Sequence, residues 1–491
     1  MSACPWRSWW PLSRSVSGPI DCTGVPRLNR GRWLSGGLDG TRKWPDSCPR
    51  YRSAEAIPMA RNTARERLEA ALARIDDPKG EGARTCLTVY REQAKAAADA
   101  ADARAKSGIS LGPVDGTIVS IKDLFDVAGE VTRAGSRIFA EERRPATADA
   151  PVVRRLRAGG AIIVAKTNMS EFAYTGIGAN PHFGTPGNPA DRKRVPGGSS
   201  SGATVSAADG MCEIAIGSDT GGSCRIPAAI CGIVGYKPSR QRIPTDGAFP
   251  RSYSIDSIGP IARTVEACAK ADAVMAAEDF AQLELAQLAG LRIGIVQGTP
   301  LENLDETVSK RFAGAVDQLR KAGARLSEEK LALLADMADV NSKGGVQPAE
   351  AFAVHRELMS RRADDIDPNV RVRLERSRNI SAADYIDMVR QRARLIRLMD
   401  ARLVDLDILA LPTTPIVAPT IQEVAPADEF ARRNAMLLRN TLIVNFLDLC
   451  AISVPIPREG GLPAGLMLVA RNGQDNRLFR IAMAVERLFG G

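Results

Sequence analysis

Histidine is nearly missing from this 491-residue chain, which has only His182 and His355. With no H-E-x-x-H run, a zinc-hydrolase site lacks its usual ligands. Cysteine is sparse too: beyond residue 58 there are six, with no C-x-x-C pair and no regular spacing. That argues against a disulfide framework and favours reduced thiols in a cytoplasmic protein. No run approaches the roughly 18 consecutive apolar residues of a membrane span. Apolar residues at 44% and charged ones at 25% are the proportions of a soluble globular protein. Tryptophan is absent after Trp44.

The tryptophan boundary coincides with a break in charge. Residues 1–52 hold nine Arg or Lys against Asp21, Asp39 and Asp46, which is six of the nine net positive charges. Pro, Arg and Ser interrupt every candidate apolar core of a signal peptide there. Residues 1–58 are therefore expected to be a disordered or non-native N-terminal extension. Met59 opens MARNTARERLEAALARI, an ordinary helix start, and residues 59–491 are expected to form a single domain. With the tail charge set aside, the case for nucleic-acid binding fades.

What remains alternates between helical and strand-like segments. Ala-rich stretches at 62–75 and 91–106 carry helix propensity, with Asp77-Pro78-Lys79-Gly80 between them. Thr117 to Ile121 reads as a short strand ending in Lys122, and Ala161 to Ala165 as an apolar strand after a helix stopped by Gly159-Gly160. Lys166-Thr167 is a near miss to a P-loop, but an apolar strand cannot wrap phosphates. The segment 238–260 reads as irregular, 330–404 as mostly helical, and 291–297, 407–411, 451–455 and 465–470 as strands. The pattern predicts an α/β fold.

The chemistry concentrates between Val195 and Lys237. Two clusters, Gly197-Gly198-Ser199-Ser200-Ser201-Gly202 and Gly221-Gly222-Ser223, flank an apolar segment short enough to be one buried strand or helix turn. Glycines let backbone N–H groups approach a ligand, and serines add hydroxyls. Such a mixture suits acyl transfer, which needs a nucleophile, a base and donors for the developing oxyanion. His182 lies in a turn and His355 on a polar helical run expected at the surface, so neither is an obvious base. A buried lysine is the alternative, because desolvation lowers its pKa. Lys122, closing an apolar strand, is the best placed, although a strand-end lysine is often simply a solvated charge.

Several runs together carry a resemblance. They are Ile121-Lys122-Asp123-Leu124-Phe125, Ala165-Lys166-Thr167-Asn168-Met169-Ser170, the first Gly-Ser cluster, Ser218-Asp219-Thr220-Gly221-Gly222-Ser223-Cys224-Arg225-Ile226-Pro227, and Gly461-Leu462-Pro463-Ala464-Gly465. In order and spacing the chain resembles the amidase signature family from about Arg61 onward. The resemblance implies a mixed β-sheet core sandwiched between layers of α-helices. It also implies an amidase that splits a carboxamide C–N bond through a Ser-Ser-Lys triad, releasing ammonia or an amine.

By motif, Ser223 would be the acylated nucleophile, Ser199 the bridging serine at a cis peptide bond, and Lys122 the base. Thr220, Gly221 and Gly222, with Ser223, would supply oxyanion or substrate-binding donors. Asp219 and Arg225 would support the loop, either as a structural ion pair or by meeting substrate. No metal or organic cofactor is implied. The expected partner is a small-molecule amide, with no nucleic acid or membrane, and a homodimer is compatible. The rival within the family is the ammonia-supplying component, the A subunit, of a glutamyl/aspartyl-tRNA amidotransferase, which would need a partner to receive the ammonia. Ser239 to Pro244 departs from the sequence usual in that component. Cys224 and Thr204 also depart from the family pattern, with Cys224 expected to be a packed hydrophobe. Substrate selectivity is expected from segments outside the signature, among them 125–140, 180–194, 240–257 and parts of 330–445.

Overall fold

The computed structural model describes residues 62–458 and 460–490. The expected extension at 1–58 lies outside the described residues. Eleven strands form one sheet: β1 Cys86–Val89, β2 Ile118–Lys122, β3 Ile162–Thr167, β4 Ile214–Ser218, β5 Val234–Lys237, β6 Ile258–Ala262, β7 Arg292–Val296, β8 Arg325–Glu329, β9 Ile408–Pro412, β10 Cys450–Pro455 and β11 Gly465–Ala470. Their order is β1-β3-β2-β4-β6-β5-β10-β11-β9-β7-β8. The sheet is mixed: β2 runs parallel to both β3 and β4, and β7 to both β8 and β9, whereas the central pairings are antiparallel.

Alternation along each strand decides what covers each face. Ile408 and Ala410 of β9, Ile452 and Val454 of β10, and Leu466 and Leu468 of β11 point into one core. The helices Pro151–Ala158, Val265–Ala276, Glu306–Lys321 and Asp475–Leu488 close that core. Leu409, Leu411, Ala451, Met467 and Val469 point the other way, against helices Ala382–Arg402 and Ala427–Phe446. At the opposite end, Ile118, Ile162, Val164 and Ala215 meet helices Ala64–Asp76, Arg91–Lys106 and Ser201–Ala208. Strands buried on both faces read as continuous apolar runs, which is why they stand out in the sequence. The first helix starts at a capping box in which Thr63 and Glu66 each accept the other's backbone N–H.

Three strands differ from the expectation. Ile258–Ala262, expected to be irregular, is a central strand; β5 pairs only with Ile261 and Ala262, so Pro260 lies at the end of that ladder. The edge strands Cys86–Val89 and Arg325–Glu329 are short or polar and carry little periodic signal. The apolar segment between the two Gly-Ser clusters is a strand, β4. The near-miss phosphate loop is ruled out because β3 runs through Thr167, and Lys166 is fully buried, 3.1 Å from Asp123. None of the helices among the described residues is long and apolar enough to cross a membrane.

Candidate active site

Because β2 and β4 are parallel neighbours, their chains leave the sheet at the same edge, where α/β proteins commonly place ligand sites. Lys122 ends β2 and Ser218 ends β4. The helix Ser201–Ala208 lies between them in sequence and brings the first Gly-Ser cluster to its own start. The result is a lysine ringed by hydroxyls. Lys122 Nζ donates to Ser199 Oγ at 2.8 Å, Ser218 Oγ at 2.9 Å and Ser200 Oγ at 3.0 Å. The peptide bond between Gly198 and Ser199 is cis.

No carboxylate forms an ion pair with Lys122 among the described residues. Burial, only partly opposed by more distant negative groups, brings its pKa down to about 7. A neutral amine has two N–H donors and one lone pair, so three hydroxyls satisfy it fully when one of them donates back. The site therefore suits a lysine that gains and loses a proton near neutrality. The solvated alternative does not hold: Lys122 has no exposed surface.

The second cluster forms a loop held from below. Asp219 and Arg225 are both fully buried and face each other, with Arg225 Nη2 2.8 Å from Asp219 Oδ1 and Nε 3.0 Å from Oδ2. Asn445 also donates to Asp219 Oδ1 and accepts from Arg225. Burial alone would raise the Asp219 pKa, but the charge and hydrogen bonds of Arg225 outweigh it and hold the carboxyl at about 2. Its two oxygens accept from Gly222 N–H at 2.8 Å and Cys224 N–H at 3.1 Å, on either side of Ser223. Asp219 and Arg225 thus form a buried ion pair that holds the backbone on both sides of Ser223.

That arrangement changes the count of free donors. Gly222 N–H is engaged by Asp219, whereas the N–H groups of Thr220, Gly221 and Ser223 meet no protein acceptor among the described residues. Thr441 Oγ1 donates to Gly221 O at 2.6 Å and Gln347 Nε2 donates to Thr220 O, so the carbonyls are pinned while those amides stay available. Ser223 is 2% exposed, and its carbonyl accepts from Ser200 N–H at 3.4 Å. That bond ties the two clusters together. No hydrogen bond joins the Ser223 and Ser199 hydroxyls among the described residues.

Gly222 is held at φ +128°, and a Cβ there would sit 2.2 Å from Thr441 Oγ1 and 2.6 Å from Ile226 Cδ1. Gly222→Ala is expected to cost about 2 kcal/mol or more of stability, from strain and overpacking together. Urea unfolding checks this, and an unchanged midpoint refutes it.

The remaining candidates make no hydrogen bond to Lys122 among the described residues. Cys224 is buried against Gly259 O, and burial followed by the Asp219 charge pushes its thiol pKa up, so it packs as a neutral group. Thr204 turns its hydroxyl to Ser200 O at 3.0 Å. His182 Nε2 lies 3.1 Å from the buried Glu171. His355 is a correction: it is 1% exposed, its ring 4.3 Å from that of Phe172. Burial first, then the Arg251 charge, lower its pKa to about 4. Neither histidine contacts Lys122 or Ser223.

Ser200, Ser218, Gln347, Thr441 and Asn445 do not stand out from the sequence as site residues. Asn445 had a signal, since it interrupts the apolar run LIVNFL of a helix whose inner face also buries Asn434, Asn440 and Thr441.

Two cavities border the loop. One, of about 230 Å³, is lined by Leu124, Ser218, Thr220, Phe249, Arg251 and Asp256 among others. The other, of about 240 Å³, has Arg251, Gln347, Arg373, Leu438 and Leu442 in its wall. Of the segments expected to set selectivity, 240–257 and 330–445 contribute to these walls, whereas 125–140 and 180–194 do not.

A buried lysine, a cluster of serine hydroxyls and a loop of free amides thus gather at one edge of a mixed α/β sheet. A family model described as Amidase matches residues 66–479. The chain is 35% identical over 407 residues to a 2-amino-5-chloromuconic acid deaminase of Comamonas testosteroni, covering 81% of this chain and 87% of the relative. It is 34% identical to the A component of the glutamyl-tRNA(Gln) amidotransferase of Chloroflexus aggregans, over 88% of this chain and 94% of that one. A crystal structure of an amidase superposes with a TM-score of 0.78 at 31% identity, over 88% of this chain and 97% of the other. The chain belongs to the amidase signature family and is a hydrolase of C–N bonds.

Proposed function

We propose that this protein hydrolyses a linear carboxamide through an acyl-enzyme on Ser223. The observation that carries the proposal is the buried, unpaired Lys122 hydrogen-bonded to Ser199 beside a loop of free amide donors. In the acylation step the neutral Lys122 takes a proton from Ser199 as Ser199 takes one from Ser223. The Ser223 oxygen then bonds to the carbonyl carbon. The Thr220, Gly221 and Ser223 amides receive the developing oxyanion; removal of one such donor typically costs about 3 kcal/mol. As the tetrahedral intermediate collapses, the C–N bond breaks and the nitrogen leaves with the proton returned from Lys122 by way of Ser199. Water then attacks the acyl carbon, giving its proton back along the same path, and frees Ser223 and the acid. The gap between the two serine hydroxyls is compatible with this, since such contacts commonly tighten only with substrate bound.

A fluorophosphonate is expected to label the wild type on Ser223, and peptide mapping locates the adduct. An unlabelled Ser223 in protein that hydrolyses amides defeats the mechanism. The amidotransferase reading has the identity to the Chloroflexus aggregans protein in its favour. It predicts weak glutaminase activity until a partner is added, whereas the free amidase releases ammonia alone.

A further inference from the structure

Arg251 and Arg373 stand out among the cations of the fold. Most buried or half-buried arginines here have acids: Arg225 has Asp219, Arg242 has Asp272, and Arg392 has Asp448. Arg251 is 6% exposed, yet its guanidinium makes no hydrogen bond or ion pair among the described residues, and Nε is left without a partner. Arg373 donates only to the Tyr174 carbonyl, at 2.9 Å. Both guanidinium carbons lie over the Tyr174 ring, at 4.8 Å and 5.0 Å from its centre, so one aromatic ring gathers the two cations.

The nearby acid is already committed. Asp256 accepts from Thr220 Oγ1 and from the backbone N–H groups of Arg251 and Ser252. Burial lowers the pKa of both arginines, and at Arg373 the Arg251 charge adds to burial and brings the pKa to about 10. Two like charges held over one ring, Arg251 buried and Arg373 half-buried, with no acid of their own among the described residues, are unfavourable until an anion joins them.

Their position says which anion. Arg251 lines both cavities, and Arg373 lines the second. The second cavity is otherwise largely apolar, with Ile255, Met337, Val346 and Phe446 in its wall, and no carboxylate among its lining residues. Gln347 and Leu442 of that wall touch the catalytic loop at Thr220 and Gly221. A planar guanidinium grips a carboxylate through two parallel hydrogen bonds, and a largely apolar wall beside the pair suits the short carbon chain of a carboxylic acid better than it suits a bare, fully hydrated phosphate.

We propose that Arg251 and Arg373 form a carboxylate-binding site that selects as substrate a small amide bearing a carboxylate, such as the monoamide of a short dicarboxylic acid. This selectivity rests on the amidase reading above. The apolar wall would cover the short chain between the carboxylate and the reacting amide.

The test compares ammonia release from succinamate and glutaramate with that from the neutral butyramide and valeramide. Wild-type protein is expected to favour the acid amides by about 100-fold in kcat/KM, because a site built around a polar group rejects analogues lacking it. Arg251→Gln and Arg373→Gln should each shrink that ratio at least about tenfold, mainly through KM, with partial recovery in Arg251→Lys and Arg373→Lys. A second readout needs no turnover. Succinate, but not butyrate, should raise the Tm of wild type and of Ser223→Ala, and should not raise that of Arg251→Gln or Arg373→Gln.

A wild-type ratio near one, a ratio unchanged in both glutamine variants, or an equal Tm rise with inorganic phosphate overturns the carboxylate site. If Ser223→Ala retained full hydrolysis while the succinate shift persisted, the acyl-enzyme reading would fail and the anion site would stand.

Discussion

Ser223→Ala is expected to lower kcat for amide hydrolysis by about 10⁵-fold or more, the scale on which a serine nucleophile is lost elsewhere. The expectation follows from what surrounds the residue. Ser223 is bracketed by two amides fixed on Asp219, and its own N–H is one of three in the loop without a protein acceptor among the described residues. Removing one oxygen atom leaves that frame intact, because the bonds that hold it come from the backbone and from side chains other than Ser223, among them Asp219, Arg225, Gln347, Thr441 and Asn445. The variant should therefore fold, keep its Tm within a degree or two, and bind substrate. Stopped assays on ammonia release with the variant at high concentration make the measurement. Residual activity above about 1% of wild type would assign the nucleophile elsewhere. Cys224 would not be the replacement, since its thiol is held neutral and turned to Gly259 O.

How much of this was visible in the residues depends on whether the information was local. The strands buried on both faces were legible because their apolar runs are contiguous, and the two Gly-Ser clusters because glycine and serine crowd together for a reason. Lys122 was a weak candidate on its own, as nothing near it in sequence tells a buried lysine from a solvated one. Its burial depends on Ser199, Ser200 and Ser218, which arrive from 77 to 96 residues away.

Arg251 and Arg373 were not legible for the same reason. Each sits in a stretch with ordinary charge, and what sets them apart is that the fold brings two arginines, without an acid of their own among the described residues, over the one ring of Tyr174. His355 misleads in the opposite sense. Its helix, Val346–Arg362, carries charges on one side, which suggests a surface, while Phe172 and Phe249 from distant segments close over the other. The edge strand Arg325–Glu329 was hidden because strand propensity is weak in RLSEE, and its pairing with β7 supplies what the side chains do not.

Lys122→Met is expected to lower kcat/KM by about 10³-fold, within the usual range for loss of a positioned general base. The same lysine should set the acid limb of the pH profile. With burial holding its pKa near 7, activity in the wild type should rise through about pH 7 and level off above it, as the neutral amine becomes the dominant form. In Lys122→Met that limb should vanish from whatever rate survives.

Stability should also rise with pH, but over a higher window than activity does. The folded-state pKa lies below the ordinary lysine value of 10.5, so between about pH 7 and pH 10 the unfolded chain binds more protons at this position than the folded one. Stability from this group then rises with pH across that window and is at its minimum below pH 7. Methionine has no proton to bind, so the variant's stability should be flatter between pH 7 and 10. At pH 6 its Tm should match or exceed that of the wild type, despite the lost hydrogen bonds to Ser199, Ser200 and Ser218. Paired thermal melts at pH 6, 8 and 9.5 make the comparison. A parallel pH dependence in the two proteins, or an acid limb that survives the substitution, would show that Lys122 is charged in the folded state and is not the base.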